Sequence, residues 1–289
     1  WFGNLVTMQW WDDLWLNEGF AAFMEHFCVD ALFPDWKIWD QYTTDAMGHA
    51  LRLDALRTSH PIQVPIRRAE EVEQVFDAIS YCKGSTVIRM AQGVVGKEAF
   101  QKGLQIYTKR HAYTNTRTQD LWDCWTEASK IQGKEVDVGV LMNSWTSKMG
   151  HPYITIISEE WSDTEVAIVL EQNWFLADGG ETDPEILWSI PLMFATSTHE
   201  ASEAIIMSTK QLALKLPIAH KNDWLKVNSG SLALMRVAHS KSMTSRLIPA
   251  IKNKELSAID RSSLLLDTYA LAKAGYADIE TIGKCVSIV

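Results

Sequence analysis

The sequence predicts a multidomain protein of α and β parts: a mainly helical segment over residues 1–150, an antiparallel β-sandwich over 151–238, and the start of a further α-helical domain over 239–289. Three observations predict it. Apolar residues recur at helical spacing through the first half. At Gly150-His151-Pro152 the text changes to short runs of Ile, Val, Leu and Trp parted by Asp, Gly, Pro and Asn, the pattern of strands and turns. After Ser240 the helical period returns.

In chain order, FAAFMEHFCVDALF sets Phe20, Phe23, Met24, Phe27 and Ala31 on one helical face. Pro34 ends that helix, since it has no amide hydrogen and its ring clashes with the turn before it. From Ser85, the residues Val87, Ile88, Ala91 and Val95 keep the period, and Gly96 stands where a C-terminal cap belongs. A helix is predicted over 98–111 and another from Thr118, with Asp120 in its first turn at the positive end of the dipole. The strand candidates are YITII, TEVAIVLEQ, EILWSIPLMFATS, EAIIMST, DWLKVN and SLALMRV. RSSLLLDTYALAKAG is the last helix, with Gly275 as its cap.

Composition narrows the function. The 289 residues are 47% hydrophobic and 22% charged, enough apolar material for substantial cores. A net charge of −9, with Arg67-Arg68 and Lys109-Arg110 only as isolated basic pairs, argues against a nucleic-acid partner, because phosphate binding needs clustered cations. No apolar run reaches the ~20 residues of a membrane span. Cys28, Cys82, Cys124 and Cys285 are irregularly spaced with no CxxC, so they read as free thiols of a reducing compartment. The absence of any N-x-Ser/Thr sequon disfavours a glycosylated ectodomain. Six of thirteen tryptophans fall in the first 39 residues, which predicts a thick aromatic core or an aromatic-walled cleft. No G-x-S-x-G elbow, P-loop or G-x-G-x-x-G fingerprint occurs.

Two phrases carry candidate chemistry. In LWLNEGFA, Glu18 precedes Gly19, whose missing side chain lets another group come close, and Glu25 lies on the same helical face. On composition alone both carboxylates read as solvated. In FDAISYCKGS, Tyr81 reads as a half-buried aromatic with a surface hydroxyl. His151, beside Pro at the change of character, reads as structural. None of the eight histidines has another three to five positions away, so no His pair of zinc-binding spacing is present.

WFGNLVTMQWWDDLWLNEGFA and FDAISYCKGS resemble segments of the M1 family of zinc aminopeptidases, the gluzincins, and most of all its puromycin-sensitive, cytosolic-type branch. SHPIQV at 59–64, NSWTSKMGHPYITI at 143–156 and LSAIDRSSLLLDTYALAKAG resemble further family segments, with Lys148 and His151 departing from the usual Gln and Phe. The resemblance implies that 1–150 is the C-terminal part of a thermolysin-like catalytic domain. It also implies that Glu18 is the third zinc ligand. The family spacing is H-E-x-x-H, 18 residues, then Glu; residues 1–17 plus one upstream position give that count. Both zinc histidines, the Glu between them and the family's G-x-M-x-N segment are then expected upstream of Trp1, and the chain is expected to be an internal fragment, inactive alone. Tyr81 is implied as the hydrogen-bond donor to the oxyanion of the tetrahedral intermediate. Asp13 and Asn17 are candidates to orient the ligands. The expected cofactor is one zinc ion in the intact protein, the expected partners are peptides with a free N-terminus, and the expected location is cytoplasmic. Residue preference and oligomeric state stay open. The alternative is a catalytically inactive peptidase-like protein that binds peptides or serves as a scaffold.

Overall fold

The chain changes from helices to strands at Gly150-His151-Pro152, and its contacts divide there too. In the computed structural model, which describes residues 1–199 and 203–278, one compact unit is Trp1–Asp54 with Thr58–Met149. The other is Ala55–Arg57 with the chain from Gly150 onward.

The first unit begins with β1 (Val6–Met8), α1 (Trp15–Leu32), α2 (Ile38–Thr44) and α3 (Ala46–Leu53). A one-turn π-helix, Ile79–Lys83, then runs directly into α4 (Gly84–Val95). There follow α5 (Lys97–Arg110), β2 (Thr114–Thr116), α6 (Thr118–Ile131) and α7 (Val138–Ser147). Strands β1 and β2 pair in parallel, a short ladder that the helical reading of 1–150 did not include. Helix ends obey their local chemistry. Helix α1 stops at Leu32 before Pro34, Gly96 turns at φ +86° after α4, and Asp120 accepts the Arg117 amide at 2.8 Å to close the start of α6.

Of the six early tryptophans only Trp15 is buried, and Trp1, Trp10 and Trp36 are exposed; the aromatic core joins Trp15 to rings from later in the chain. Trp15 packs on Trp122 at 5.6 Å, Trp122 on Trp125 at 5.5 Å, Trp125 on Phe100 at 4.8 Å, and Phe100 on Phe23 at 5.5 Å. These rings weld α1, α5 and α6 together. Two of the buried indoles donate within this core: Trp15 to Thr118 Oγ1 at 2.9 Å and Trp125 to the Phe100 carbonyl at 3.1 Å. Phe20 and Phe23 are fully buried, whereas Met24 and Phe27 are half-buried and Ala31 is exposed, so the apolar face of α1 narrows toward its C-terminus.

The second unit carries β3 (Pro152–Trp161), β4 (Glu165–Trp174), β5 (Ile190–Leu192), β6 (Phe194–Ala195), β7 (Ile205–Met207), β8 (Gln211–Pro217), β9 (Lys226–Val227) and β10 (Arg236–Ala238), then α8 (Lys241–Lys252) and α9 (Ala258–Lys273). The main sheet has the order β10-β3-β4-β8. Its β3-β4-β8 ladder is antiparallel, but β10 joins β3 in parallel, so the sheet is mixed rather than antiparallel throughout. The excursion from Trp161 to Arg236 supplies the crossover that a parallel pair requires. Two predicted strands are broken. EILWSIPLMFATS changes partner at Met193, with β5 on β7 and β6 on β9, while the Met193 carbonyl accepts the Ser229 amide at 3.1 Å. SLALMRV keeps only its end as β10, because the Asn228 side chain exchanges two 3.0 Å hydrogen bonds with the Ala233 backbone and closes the segment into a turn. Gly150 has φ +84°, and a Cβ there would lie 2.1 Å from Trp174 Nε1. His151 is buried and stacks on Phe175, as a structural residue does. Cys28, Cys82 and Cys124 are unbridged; Cys285 lies outside the described residues. Among the described residues no helix is long and apolar enough to cross a membrane.

Candidate active site

Glu18 sits in the first turn of α1, the only acidic side chain there, where its charge complements the exposed amides of the helix start. Behind it the chain is tightly apposed. A Cβ on Gly19 would lie 3.1 Å from the Gly84 carbonyl carbon and 3.3 Å from the Ser80 carbonyl oxygen. A Cβ on Gly84 would in turn lie 3.3 Å from Gly19 Cα. The glycine of LNEGF thus meets the glycine of SYCKGS, and backbone touches backbone.

That contact brings Glu18 and Tyr81 together. Tyr81 lies in the middle of the π-helix, whose wider turn displaces side chains from the α-helical register. Its hydroxyl lies close enough to the Glu18 carboxylate for that charge to act on it. Burial, then the neighbouring Glu18 carboxylate, push the Tyr81 phenol up to about 12. Tyr81 is therefore a neutral donor across the range in which proteins work.

The π-helix is anchored at both ends. Before it, Asp77 Oδ1 accepts the Ile79 amide at 2.9 Å and the Ser80 amide at 3.3 Å. At its last residue, Lys83 pairs with Asp54 Oδ2 at 2.7 Å, both side chains wholly buried, and donates to the Lys148 carbonyl at 3.1 Å. Neither Asp54 nor Lys83 could be singled out from sequence, because the pairing joins the end of α3 to a turn that nothing local announces.

The remaining candidates separate. Asp13 is buried, and its carboxylate accepts from Thr118 Oγ1 at 2.6 Å, Gln63 Nε2 at 2.8 Å and the Thr118 amide at 3.3 Å, tying the start of α1 to the start of α6. Burial raises its pKa against those hydrogen bonds. Asn17 packs beside Gly3. Glu25 is exposed, a solvated carboxylate.

A zinc site needs three protein donors around the metal. The Glu18 carboxylate is half-buried, with the Tyr81 hydroxyl beside it. Among the described residues no group of three or more His, Cys, Asp or Glu is placed to hold a metal ion. Among the described residues, then, a zinc ion would find at most the one carboxylate of Glu18 in these motifs and not a full set of donors.

Known proteins match along this length. The Peptidase family M1 domain matches residues 1–145. "Aminopeptidase 2" of Candida albicans is 41% identical over 277 residues, covering 96% of the chain and 29% of that protein. "Puromycin-sensitive aminopeptidase" of Caenorhabditis elegans is 38% identical over 281 residues, again 96% of the chain and 29% of that protein. "Aminopeptidase M1" of Arabidopsis thaliana is 39% identical over 287 residues, 95% of the chain and 31% of that protein. The chain thus spans about three tenths of the length of these relatives.

Proposed function

Since the chain belongs to peptidase family M1, we propose that it is part of a zinc aminopeptidase that hydrolyses the N-terminal residue from peptides, with Glu18 as a metal ligand and Tyr81 as the donor to the scissile carbonyl oxygen. In this reading residues 1–150 are the C-terminal part of a thermolysin-like domain, followed by a β-sandwich and the start of a helical domain. The cytoplasmic location expected of the puromycin-sensitive branch is part of the proposal. The observation that carries it is the Gly19–Gly84 apposition, which sets the motif of Glu18 beside the motif of Tyr81.

Bound zinc acts as a Lewis acid and lowers the pKa of its water. The residues of this chain add two things. Glu18 contributes negative charge and a hard oxygen donor. Tyr81 holds its proton on the hydroxyl oxygen and offers it toward negative charge that develops on the substrate carbonyl, which stabilises the transition state more than the ground state.

The test is made in the intact protein. Tyr81→Phe is expected to keep bound zinc and to lower kcat about 100- to 1,000-fold. Glu18→Ala is expected to lose both zinc, measured by elemental analysis, and hydrolysis of an aminoacyl-arylamide. Zinc retained in Glu18→Ala, or full turnover in Tyr81→Phe, would sink the assignment. A wild-type protein with no zinc and no turnover would instead favour the inactive peptide-binding reading.

A further inference from the structure

The segment SHPIQV, residues 59–64, has no part in the chemistry proposed above, yet it folds against the turn that carries Tyr81. His60 Nε2 lies 2.8 Å from Asp77 Oδ2, and His60 Nδ1 lies 2.7 Å from the Pro61 carbonyl oxygen. Both partners are acceptors, so both ring nitrogens are asked to donate, and only the imidazolium has two N–H donors. The other oxygen of Asp77 holds the Ile79 and Ser80 amides, and the Asp77 backbone carbonyl accepts the Tyr81 amide at 3.1 Å. Next door, Ser59 Oγ donates to Asp54 Oδ1 at 2.8 Å, and Asp54 pairs with Lys83. The segment therefore reaches the Tyr81 turn from both sides.

We propose that His60 and Asp77 are positioning residues for Tyr81: the imidazolium–carboxylate pair fixes the π-helix and thereby the aim of the Tyr81 hydroxyl. This rests on the reading of Tyr81 as a transition-state donor. A π-turn is wider than an α-turn and its side-chain directions depend on which amides are held. Asp77 decides that by capping Ile79 and Ser80, and His60 fixes Asp77. The ionisable groups around the pair are Asp54 and Lys83, whose charges offset one another, and Cys82, whose thiol burial and Asp77 push up. The Asp77 hydrogen bond raises the His60 pKa against its burial, in keeping with an imidazolium held by the carboxylate.

In the intact protein, kcat, KM, bound zinc and Tm are compared for His60→Phe, His60→Gln and Asp77→Asn, each with Tyr81 and with Tyr81→Phe. His60→Phe is expected to lower kcat about 10- to 100-fold with KM and zinc little changed, because a misdirected donor is missed only at the transition state. His60→Gln keeps one N–H for Asp77 and is expected to recover most of the loss. In the Tyr81→Phe background the same His60 changes are expected to have under about a two-fold further effect, since both act through one hydroxyl. If the two losses multiply in full, or if His60→Phe loses nothing, the positioning role is overturned. Should His60→Phe fail to fold, the isosteric Asp77→Asn decides: it must lower kcat in the same Tyr81-dependent way, and the NMR titration of the His60 ring must fall toward its ordinary value. An unchanged kcat or an unmoved ring titration overturns the proposal. A fully active Tyr81→Phe would fail the underlying reading instead, and it is visible on its own.

Discussion

Lys83 and Asp54 form an ion pair with no solvent on either side chain, 2.7 Å apart, two residues beyond Tyr81. Removing both charges from water is costly, and only their mutual attraction and hydrogen bonds offset it. Lys83→Met leaves Asp54 charged and uncompensated, with an expected loss of about 3–5 kcal/mol in denaturant unfolding. Lys83→Met with Asp54→Leu is expected to restore part of that; a single variant no worse than a surface change would mean the pair does not hold the turn. His60 and Asp77 give a different signature. The His60 pKa is raised, so its stabilisation is complete below the unfolded value of about 6.5 and is lost as pH rises through the folded one. For Asp77, burial pulls upward, but His60 and the Ser80 and Ile79 amides win and hold the carboxyl below its usual range. Its stabilisation is complete above about pH 3.9 and is lost as pH falls through the folded value. The Tm gap between wild type and Asp77→Asn is therefore expected to be widest between about pH 4 and 6.5 and to shrink at higher pH. A gap that stays flat across that range would rule out the charged pair.

At the level of elements, the close approach of α1 to the start of α4 depends on Gly19 more than on Gly84. Alanine in a helix gains about 1 kcal/mol over glycine. At Gly19 that gain meets backbone atoms at 3.1–3.3 Å, which can move only if the helices do. Overpacking of this kind costs about 1–3 kcal/mol, so Gly19→Ala is expected to be net destabilising and to lower kcat by shifting Glu18 from Tyr81. At Gly84 the nearest atom is at 3.3 Å and the next at 3.7 Å, so Gly84→Ala is expected near neutral in stability. Equal effects of the two substitutions on unfolding and turnover would contradict this account. Helices α1, α4, α5 and α6 were legible because period, Pro34, Gly96 and Asp120 all act within a few residues. The π-helix was not, since one extra residue in a turn leaves no period of its own. Nor was the parallel pairing of β10, which is fixed by a partner far away in sequence. Glu18 and Tyr81 could be named from the words around them, but their meeting depends on Gly19 against Gly84, and the bond between His60 and Asp77 on a tertiary fold that no local pattern announces.

On the scale of the whole chain, His239 of the second unit answers acid in the opposite sense to His60 of the first. In the second unit, contacts run from the sheet into the helices that follow it: Arg236 of β10 pairs with Asp267 of α9 at 3.0 Å, and Ala195 and Trp224 share an apolar cluster with Leu247 and Leu264. His239 stands at the junction between β10 and α8, and its Nε2 has no hydrogen-bond partner among the described residues. Burial first, then the Lys226 charge, drive its pKa down to about 3. A lowered value means the unfolded chain binds the proton that the folded chain refuses. Stability from His239 is thus complete above the unfolded value of about 6.5 and is lost as pH falls toward the folded one. The slope has an upper bound of about 1.4 kcal/mol per pH unit, and less is expected because the residue keeps part of its surface in solvent. Between about pH 6.5 and 4, then, His60 and Asp77 hold their full contribution in the first unit while that of His239 in the second falls. Calorimetry of wild type and His239→Gln, which cannot titrate, from pH 7.5 down to about 5 is expected to show wild type losing more stability to acid than the variant. A wild-type transition as insensitive to acid as that of His239→Gln would show that His239 does not stay neutral in the folded protein.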